Sequence, residues 1–380
     1  GGGPAGLTAA AYAAKKGLSV RVYEEKREIG FPVKCGELLP AIKEMHNLLP
    51  KTKDISDLFD VPNSAVTNRC KKFRMFSPRG KAWEFSFEAD VLDRPSFEKN
   101  LAEKAKCAGA EIFLGASAKL FLEGRSKYVG KAGKDAVKAK IVIAADGFPS
   151  RIGLATGLSH KSYMACNHTA IVYQYRVLNV KVEEDVVEMY FDSKYAPGGF
   201  AYIIPKGENM ANVGIGIRSS FVHGEADARG YLNKFITKHH LARDKLSMGK
   251  PTAVMADVLP IDGPISKTVN ASVMVVGDAA GMVIPTTGAG IPTAMITGKI
   301  AGEVAAENLT EGSPLYVYEG RWKEQIGNEL YTCVKVRKMA DKFIKNDFLL
   351  HFILKLLGSS GIKKALTCKN PLGPIVPDFL

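Results

Sequence analysis

A chain of 380 residues, 46% hydrophobic and 24% charged, has globular composition and room for two or three modules sharing a large core. Its six cysteines (Cys35, Cys70, Cys107, Cys166, Cys333, Cys368) are scattered with no C-x-x-C. That argues against a zinc site, a disulfide framework or an iron–sulfur cluster, and suits a reducing cytoplasm; no apolar run reaches the ~18 residues of a spanning helix. The net charge of +13 points to an anionic partner (nucleic acid, anionic lipid or a phosphorylated substrate) or to plain solubility.

The first six residues, Gly1-Gly2-Gly3-Pro4-Ala5-Gly6, read as G-x-G-x-x-G through Gly1, Gly3 and Gly6. Such a turn lets backbone approach a pyrophosphate, whose charge then sits on a helix N-terminus. A hydrophobic strand normally leads into it. None precedes Gly1, so the first strand of the unit is expected upstream of residue 1. The Ala-rich stretch Leu7 to Lys16 is a predicted helix stopped by Gly17. Leu18 to Tyr23 alternates like a strand and ends at Glu24, whose carboxylate can accept hydrogen bonds from both hydroxyls of a ribose and would repel a 2′-phosphate. Glu25 is the competing acid.

Residues 45–90 read as irregular, with short strand-like stretches such as Lys81 to Phe87. Asp93-Arg94-Pro95 opens a helix, with Asp93 as cap and Pro95 in the first turn. Ala110 to Leu114 is a strand, and Lys140 to Ala145 a buried strand closed by Asp146-Gly147. Between 163 and 218, four strand patterns at short spacing predict an antiparallel sheet in a second domain. Helical pattern follows near 226–241. The buried strand Ser272 to Val276 runs into Gly277-Asp278-Ala279-Ala280, and a long helix follows Gly290. From about 314 the chain is helical and basic, with nine Lys or Arg against two Asp or Glu between Tyr331 and Asn370. There Phe348 to Leu357 is almost wholly apolar beside Lys355, Lys363 and Lys364. This stretch suits the interface of an anionic membrane, or a helix closing a substrate tunnel. No DNA- or RNA-binding motif accompanies the charge, so no nucleic acid is expected.

Asp146-Gly147-Phe148-Pro149-Ser150-Arg151, and Gly277 to Ala280 with Gly288-Ala289-Gly290-Ile291, resemble the FAD proteins built like aromatic hydroxylases. In that group an aspartate like Asp278 meets the ribityl or phosphate region of FAD, and the segment like Gly288 to Gly290 offers backbone N–H groups to the isoalloxazine. Within the group, residues 1–310 resemble the geranylgeranyl reductase family, notably the archaeal digeranylgeranylglycerophospholipid reductases. The segments that carry this are Glu28 to Glu37, which looks like the family's P-V-[KR]-C-G-E, Leu92-Asp93-Arg94, Gln174-Tyr175-Arg176 and Pro205 to Gly216. The resemblance implies FAD contacts at Gly1, Gly3, Ala5, Gly6, Glu24, Cys35, Gly36, Arg94, Ala118, Asp278, Gly290 and Ile291. Cys35 is either a thiol that takes part in chemistry beside the flavin or a small packing residue. Against the family's P-x-x-Y-x-W-x-F-P the chain has Pro197, Phe200, Tyr202, Ile204 and Pro205. Positions 200, 202 and 204 share one face of a strand and would form an apolar wall for a polyprenyl chain. Two departures are Ile284-Pro285, where the family commonly has Asp-Pro, and Leu38, where Gly is usual.

The expected fold class is α/β: a discontinuous FAD-binding doubly wound (Rossmann-like) domain (1–60 with 90–160 and 262–312), an inserted antiparallel-sheet substrate domain (61–89 with 161–261), and a helical C-terminal region (313–380). The expected function is FAD-dependent saturation of isolated C=C bonds in the geranylgeranyl chains of an anionic lipid, by a monomer in the cytoplasm that touches the membrane peripherally. The electron donor is left open among NADPH, ferredoxin and a deazaflavin. Alternatives are a flavin monooxygenase or halogenase on the same scaffold, a quinone-linked electron carrier, and a non-catalytic membrane-binding flavoprotein.

Overall fold

The computed structural model describes residues 1–123, 127–132, 135–222, 225–270 and 272–372. Local chemistry sets several element ends. Asp93 accepts the Ser96 N–H at 3.1 Å and caps the helix Arg94–Cys107. Gly17, at φ +83, ends the helix Pro4–Lys15 in the left-handed conformation glycine tolerates.

The nucleotide-binding layer holds two parallel strand pairs, Arg21–Tyr23 with Glu111–Phe113 and Val142–Ala144 with Val273–Val275. Among the described residues no strand joins these pairs. Pro4–Lys15 packs directly on Ile291–Glu311. The approach is close because the second helix has glycine where backbones touch: a Cβ on Gly298 would lie 2.3 Å from the Ala5 carbonyl oxygen, and one on Gly302 2.5 Å from that of Ala9. Tyr318 and Trp322, both fully buried, seal this layer from the C-terminal side, with the Tyr318 hydroxyl donating to the Val275 carbonyl at 2.8 Å.

The second layer is an eight-stranded sheet in the order Lys250–Pro260, Thr169–Leu178, Met210–Arg218, Phe200–Gly207, Val186–Tyr190, Val66–Phe76, Ala82–Leu92, Leu38–Pro40. Neighbours are antiparallel except Val186–Tyr190, which runs parallel to Val66–Phe76. The two-residue period divides its residues. Ala201 and Ile203 pack with Phe235 of the helix Glu225–Lys238 on one face, while Phe200, Tyr202 and Ile204 cluster with Phe73 and Val172 on the other.

The stretch read as irregular between 45 and 90 contains two paired strands of eleven residues, Val66–Phe76 and Ala82–Leu92. Register shifts between Val66 and Asn68 and between Cys70 and Lys72 break the alternation that marks a strand in sequence. Leu38–Pro40, from the segment assigned to the nucleotide-binding unit, forms the edge of the large sheet.

Candidate functional site

One cavity of ≈ 660 Å³ runs from the glycine turn, between the two layers, to the C-terminal helices. Two helix N-termini open into it. The helix Pro4–Lys15 begins at Gly3 and the helix Ile291–Glu311 at Gly290, and neither has a side-chain cap. Their first N–H groups therefore need outside partners. A Cβ on Gly3 would meet nothing within 4 Å, whereas one on Gly1 would lie 2.2 Å from the Ala145 oxygen and one on Gly6 2.0 Å from the Gly1 oxygen. Gly3 thus leaves room on the cavity side, while Gly1 and Gly6 let the turn fold onto itself.

Glu24 anchors the turn: one carboxylate oxygen accepts the Gly2 N–H at 2.5 Å and the other the Lys26 N–H at 2.9 Å. Each oxygen keeps a lone pair for a diol at the cavity wall. Arg94 lies deeper. Its Nε is buried without a partner, and its guanidinium sits beside Glu98 and Cys35. Burial works against its charge, but Cys35 and Glu98 outweigh burial and leave it more basic than usual. Asp278 faces the same space. Burial first, then the nearby Asp257 carboxylate, pushes it up to about 6, with Arg94 pulling the other way. An uncapped helix start, a ribose-ready carboxylate, an orphaned guanidinium N–H and a deep carboxyl fit a dinucleotide with a long polar bridge, as FAD is.

Cys35 and Gly36 form the wall between this cofactor end and the large sheet. The Cys35 sulfur accepts the Glu37 N–H at 3.1 Å, and the Cys35 carbonyl accepts Gln174 Nε2 at 2.7 Å. Gln174 Oε1 in turn accepts the Tyr202 hydroxyl at 2.6 Å. A Cβ on Gly36 would sit 3.3 Å from Ile204 Cδ1, so the apolar strand face touches this loop. Beyond it, Phe73, Met75, Phe85 and Met189 from the sheet face Leu350, Leu354 and Ile362 of the helix Asp347–Leu366, and Phe343 of the turn before it, across an apolar chamber.

Of the residues singled out in sequence, the cavity wall includes Gly3, Ala5, Glu24, Cys35, Gly36, Arg94, Phe200, Tyr202, Ile204, Asp278, Gly290 and Ile291. Gly1, Gly6, Pro197 and Pro205 are not part of that wall: the two glycines pack the turn onto itself, and both prolines are buried. Ala118 is exposed and lies outside the wall.

Sequence reading missed the group that holds the wall together. Glu37 is fully buried at φ 65, and its carboxylate meets Lys206 at 2.9 Å, Arg176 at 3.0 Å and Asn212 at 2.8 Å. It also accepts the Arg94 N–H at 3.3 Å. Asn212 reaches the Gly36 carbonyl at 3.2 Å as well. One signal was present: Glu37, Arg94, Arg176, Lys206 and Asn212 each belong to one of the segments that carried the family resemblance. Those segments converge on one buried ion cluster.

Comparison with known proteins agrees. The family model for the geranylgeranyl reductase catalytic domain matches residues 168–252, and that for an NAD(P)-binding Rossmann-like domain matches residues 1–52. A digeranylgeranylglycerophospholipid reductase 2 of Methanopyrus kandleri is 38% identical over 89% of this chain and 85% of its own length. The reductase of that name from Methanocaldococcus jannaschii is 36% identical over 100% and 97%. Among solved structures, a geranylgeranyl bacteriochlorophyll reductase-like protein from Thermoplasma acidophilum superposes with a TM-score of 0.80 at 29% identity, covering 99% of this chain and 92% of that one. A flavin-dependent brominase, at TM-score 0.70 and 16% identity over 97% of this chain and 90% of its own, shares the fold. The chain belongs to the family of the digeranylgeranylglycerophospholipid reductases.

Proposed function

We propose that this protein is an FAD-dependent reductase that saturates isolated C=C bonds in the geranylgeranyl chains of an anionic lipid, acting as a monomer in peripheral contact with an anionic membrane. The observation that carries this is the junction at Gly36: the cofactor cradle and the apolar chamber are one cavity, and they meet where Ile204 packs on the Cys35–Gly36 wall. Bound FAD, once reduced, supplies hydride to one carbon of the double bond.

The chain's own residues do the rest. Gly3 and the open start of the helix Pro4–Lys15 hold the diphosphate end, Glu24 the ribose, Asp278 the polar bridge, and the open helix start at Gly290 the isoalloxazine. Phe200, Tyr202 and Ile204, with Phe73 and Met189 opposite Leu350 and Leu354, hold the prenyl chain and exclude water. The second carbon needs a proton. Cys35 Sγ is the candidate source, because it sits at the junction, beside Arg94 and accepting the Glu37 N–H.

The test is an anaerobic single turnover. With the bound flavin reduced and a geranylgeranyl phospholipid added, re-oxidation of the flavin with product heavier by pairs of hydrogens is expected. Flavin that stays reduced until oxygen arrives, then yields a hydroxylated aromatic, refutes the reading in favour of a monooxygenase. Cys35→Ser should keep FAD binding and slow re-oxidation by about 10²-fold or more; an unchanged rate removes Cys35 from the chemistry.

A further inference from the structure

We propose that the outer face of the helix Asp347–Leu366, together with the Ser77 to Lys81 turn, is a docking surface for a bilayer of anionic phospholipid. The proposal rests on the lipid-reductase reading above and names the surface through which that substrate's membrane is met.

The helix is apolar on two sides. Leu350, Leu354 and Ile362 point inward, buried, as part of the roof of the apolar chamber. Phe348, Phe352 and Leu356, spaced by four, form an outward stripe at 62%, 50% and 68% exposure. A surface helix ordinarily turns polar residues outward, and a single exposed apolar side chain needs no account, but a stripe of three large ones does. The helix is broken at Gly358, at φ 56 and ψ −175. The segment before it is about 16 Å long, too short to cross a bilayer and suited to lying in its plane.

The rim of the stripe is positive. The turn between the strands Val66–Phe76 and Ala82–Leu92 is tied to the helix through Ser77 Oγ and His351 Nδ1, 2.9 Å apart. This brings the Arg79 guanidinium to 4.8 Å from the centre of the Phe348 ring. Lys81 and Lys355 are exposed and, with Arg79, lie near His351 on this face. The one carboxylate at the helix start, Asp347, is turned inward onto Ser193, accepting its N–H at 3.1 Å and its hydroxyl at 2.9 Å. A second copy of the chain is a poor occupant: pairing this face with itself would set Arg79, Lys81 and Lys355 against like charges. Anionic headgroups match the rim and acyl chains match the stripe. One helix thickness, about 10 Å, then separates the bilayer from the chamber.

The experiment is flotation of the full chain with vesicles of equal parts phosphatidylglycerol and phosphatidylcholine, against phosphatidylcholine alone, in low and high salt. Expected are binding to the anionic vesicles that weakens in high salt, and a loss of about tenfold or more in partition coefficient for Phe352→Gln/Leu356→Gln and for Arg79→Glu. Tyr316→Gln, which removes an exposed ring elsewhere on the surface (71% exposed), should leave it unchanged. Retained flavin absorbance and circular dichroism show that the variants fold. Unchanged partition in the double variant overturns the proposal. So does salt-insensitive binding to phosphatidylcholine alone, or a dimer in sedimentation that the double variant dissolves. Because flotation needs no turnover, the two readings fail separately. Vesicle binding with no reduction of detergent-dispersed lipid sinks the reductase, and turnover without vesicle binding sinks the docking surface.

Discussion

Replacing Glu37 by Gln tests whether the buried ion cluster holds the active wall. The Glu37 side chain has 0% exposure and its partner Lys206 2%, so neither charge is shared with solvent. Removing the carboxylate leaves the Lys206 ammonium, 2.9 Å away, and the Arg176 guanidinium, 3.0 Å away, without their paired counter-charge, Asp93 being the remaining carboxylate near them. Breaking a buried pair from one side costs about 3–5 kcal/mol. Two features bring the expectation to the lower end, about 3 kcal/mol. Arg176 is 24% exposed and reaches water, and burial already lowers the Lys206 pKa, so that lysine sheds its proton once Glu37 no longer holds it. A depressed lysine pKa in the folded variant means that the unfolded chain binds more protons, so stability rises with pH. The deficit of Glu37→Gln against the parent therefore shrinks between pH 6 and pH 9. Urea unfolding followed by tryptophan fluorescence reads the deficit. Glu37→Gln/Lys206→Met, which removes both charges, should recover about 2 kcal/mol. A Glu37→Gln deficit below about 0.5 kcal/mol, constant across that pH range, refutes the reasoning.

Three more expectations follow from single contacts. Asp278 has a folded pKa of about 6 against an ordinary 3.8, so its contribution to the cofactor-free fold is present below pH 4 and lost as pH rises through 6. That shift is worth about 3 kcal/mol, reduced to about 2 because the carboxyl meets cavity water. Asp278→Asn should accordingly gain about 1 kcal/mol on the parent between pH 4.5 and pH 7.5, and parallel pH curves in urea unfolding of the two proteins would count against it. In Gly214→Ala the new Cβ would fall 2.5 Å from the Tyr202 ring and 2.5 Å from Gln174 Cβ. A loss of about 1–3 kcal/mol in thermal unfolding, with weaker lipid binding, is expected, and wild-type values of both contradict the packing described. Gly6→Ala, whose Cβ would lie 2.0 Å from the Gly1 oxygen, should release FAD on gel filtration, and co-elution of stoichiometric flavin would disprove the turn's role.

How much of this was legible depended on the distance in sequence between interacting groups. The glycine turn, Glu24 at a strand end, the Asp93 cap and the alternation of Phe200, Tyr202 and Ile204 are local: each pattern spans a few residues, and helix and strand periods convert it into a face or a terminus. The cofactor class and an apolar strand face follow from such patterns, and the shared segments named the family. The large sheet was only half visible. Strands joined by short turns between 163 and 218 announced themselves, whereas Val66–Phe76 was hidden by register shifts and pairs in parallel with Val186–Tyr190, more than a hundred residues away.

Tertiary structure alone decided the rest. Glu37 lies 139 residues from Arg176 and 175 from Asn212, and no periodicity links a buried carboxylate to partners that distant. Only the folded sheet, which lays Arg176, Lys206 and Asn212 side by side, makes burying that charge affordable. The C-terminal helix makes the same point. Its composition allowed two readings, a membrane-facing stretch and the closure of a tunnel. Leu350 and Leu354 lie on one side and Phe348, Phe352 and Leu356 on the other, so the inward side closes the chamber and the outward stripe stays exposed. An apolar run states how much surface must leave water. Which side meets the chamber and which is left outside depends on the sheet that the helix packs against.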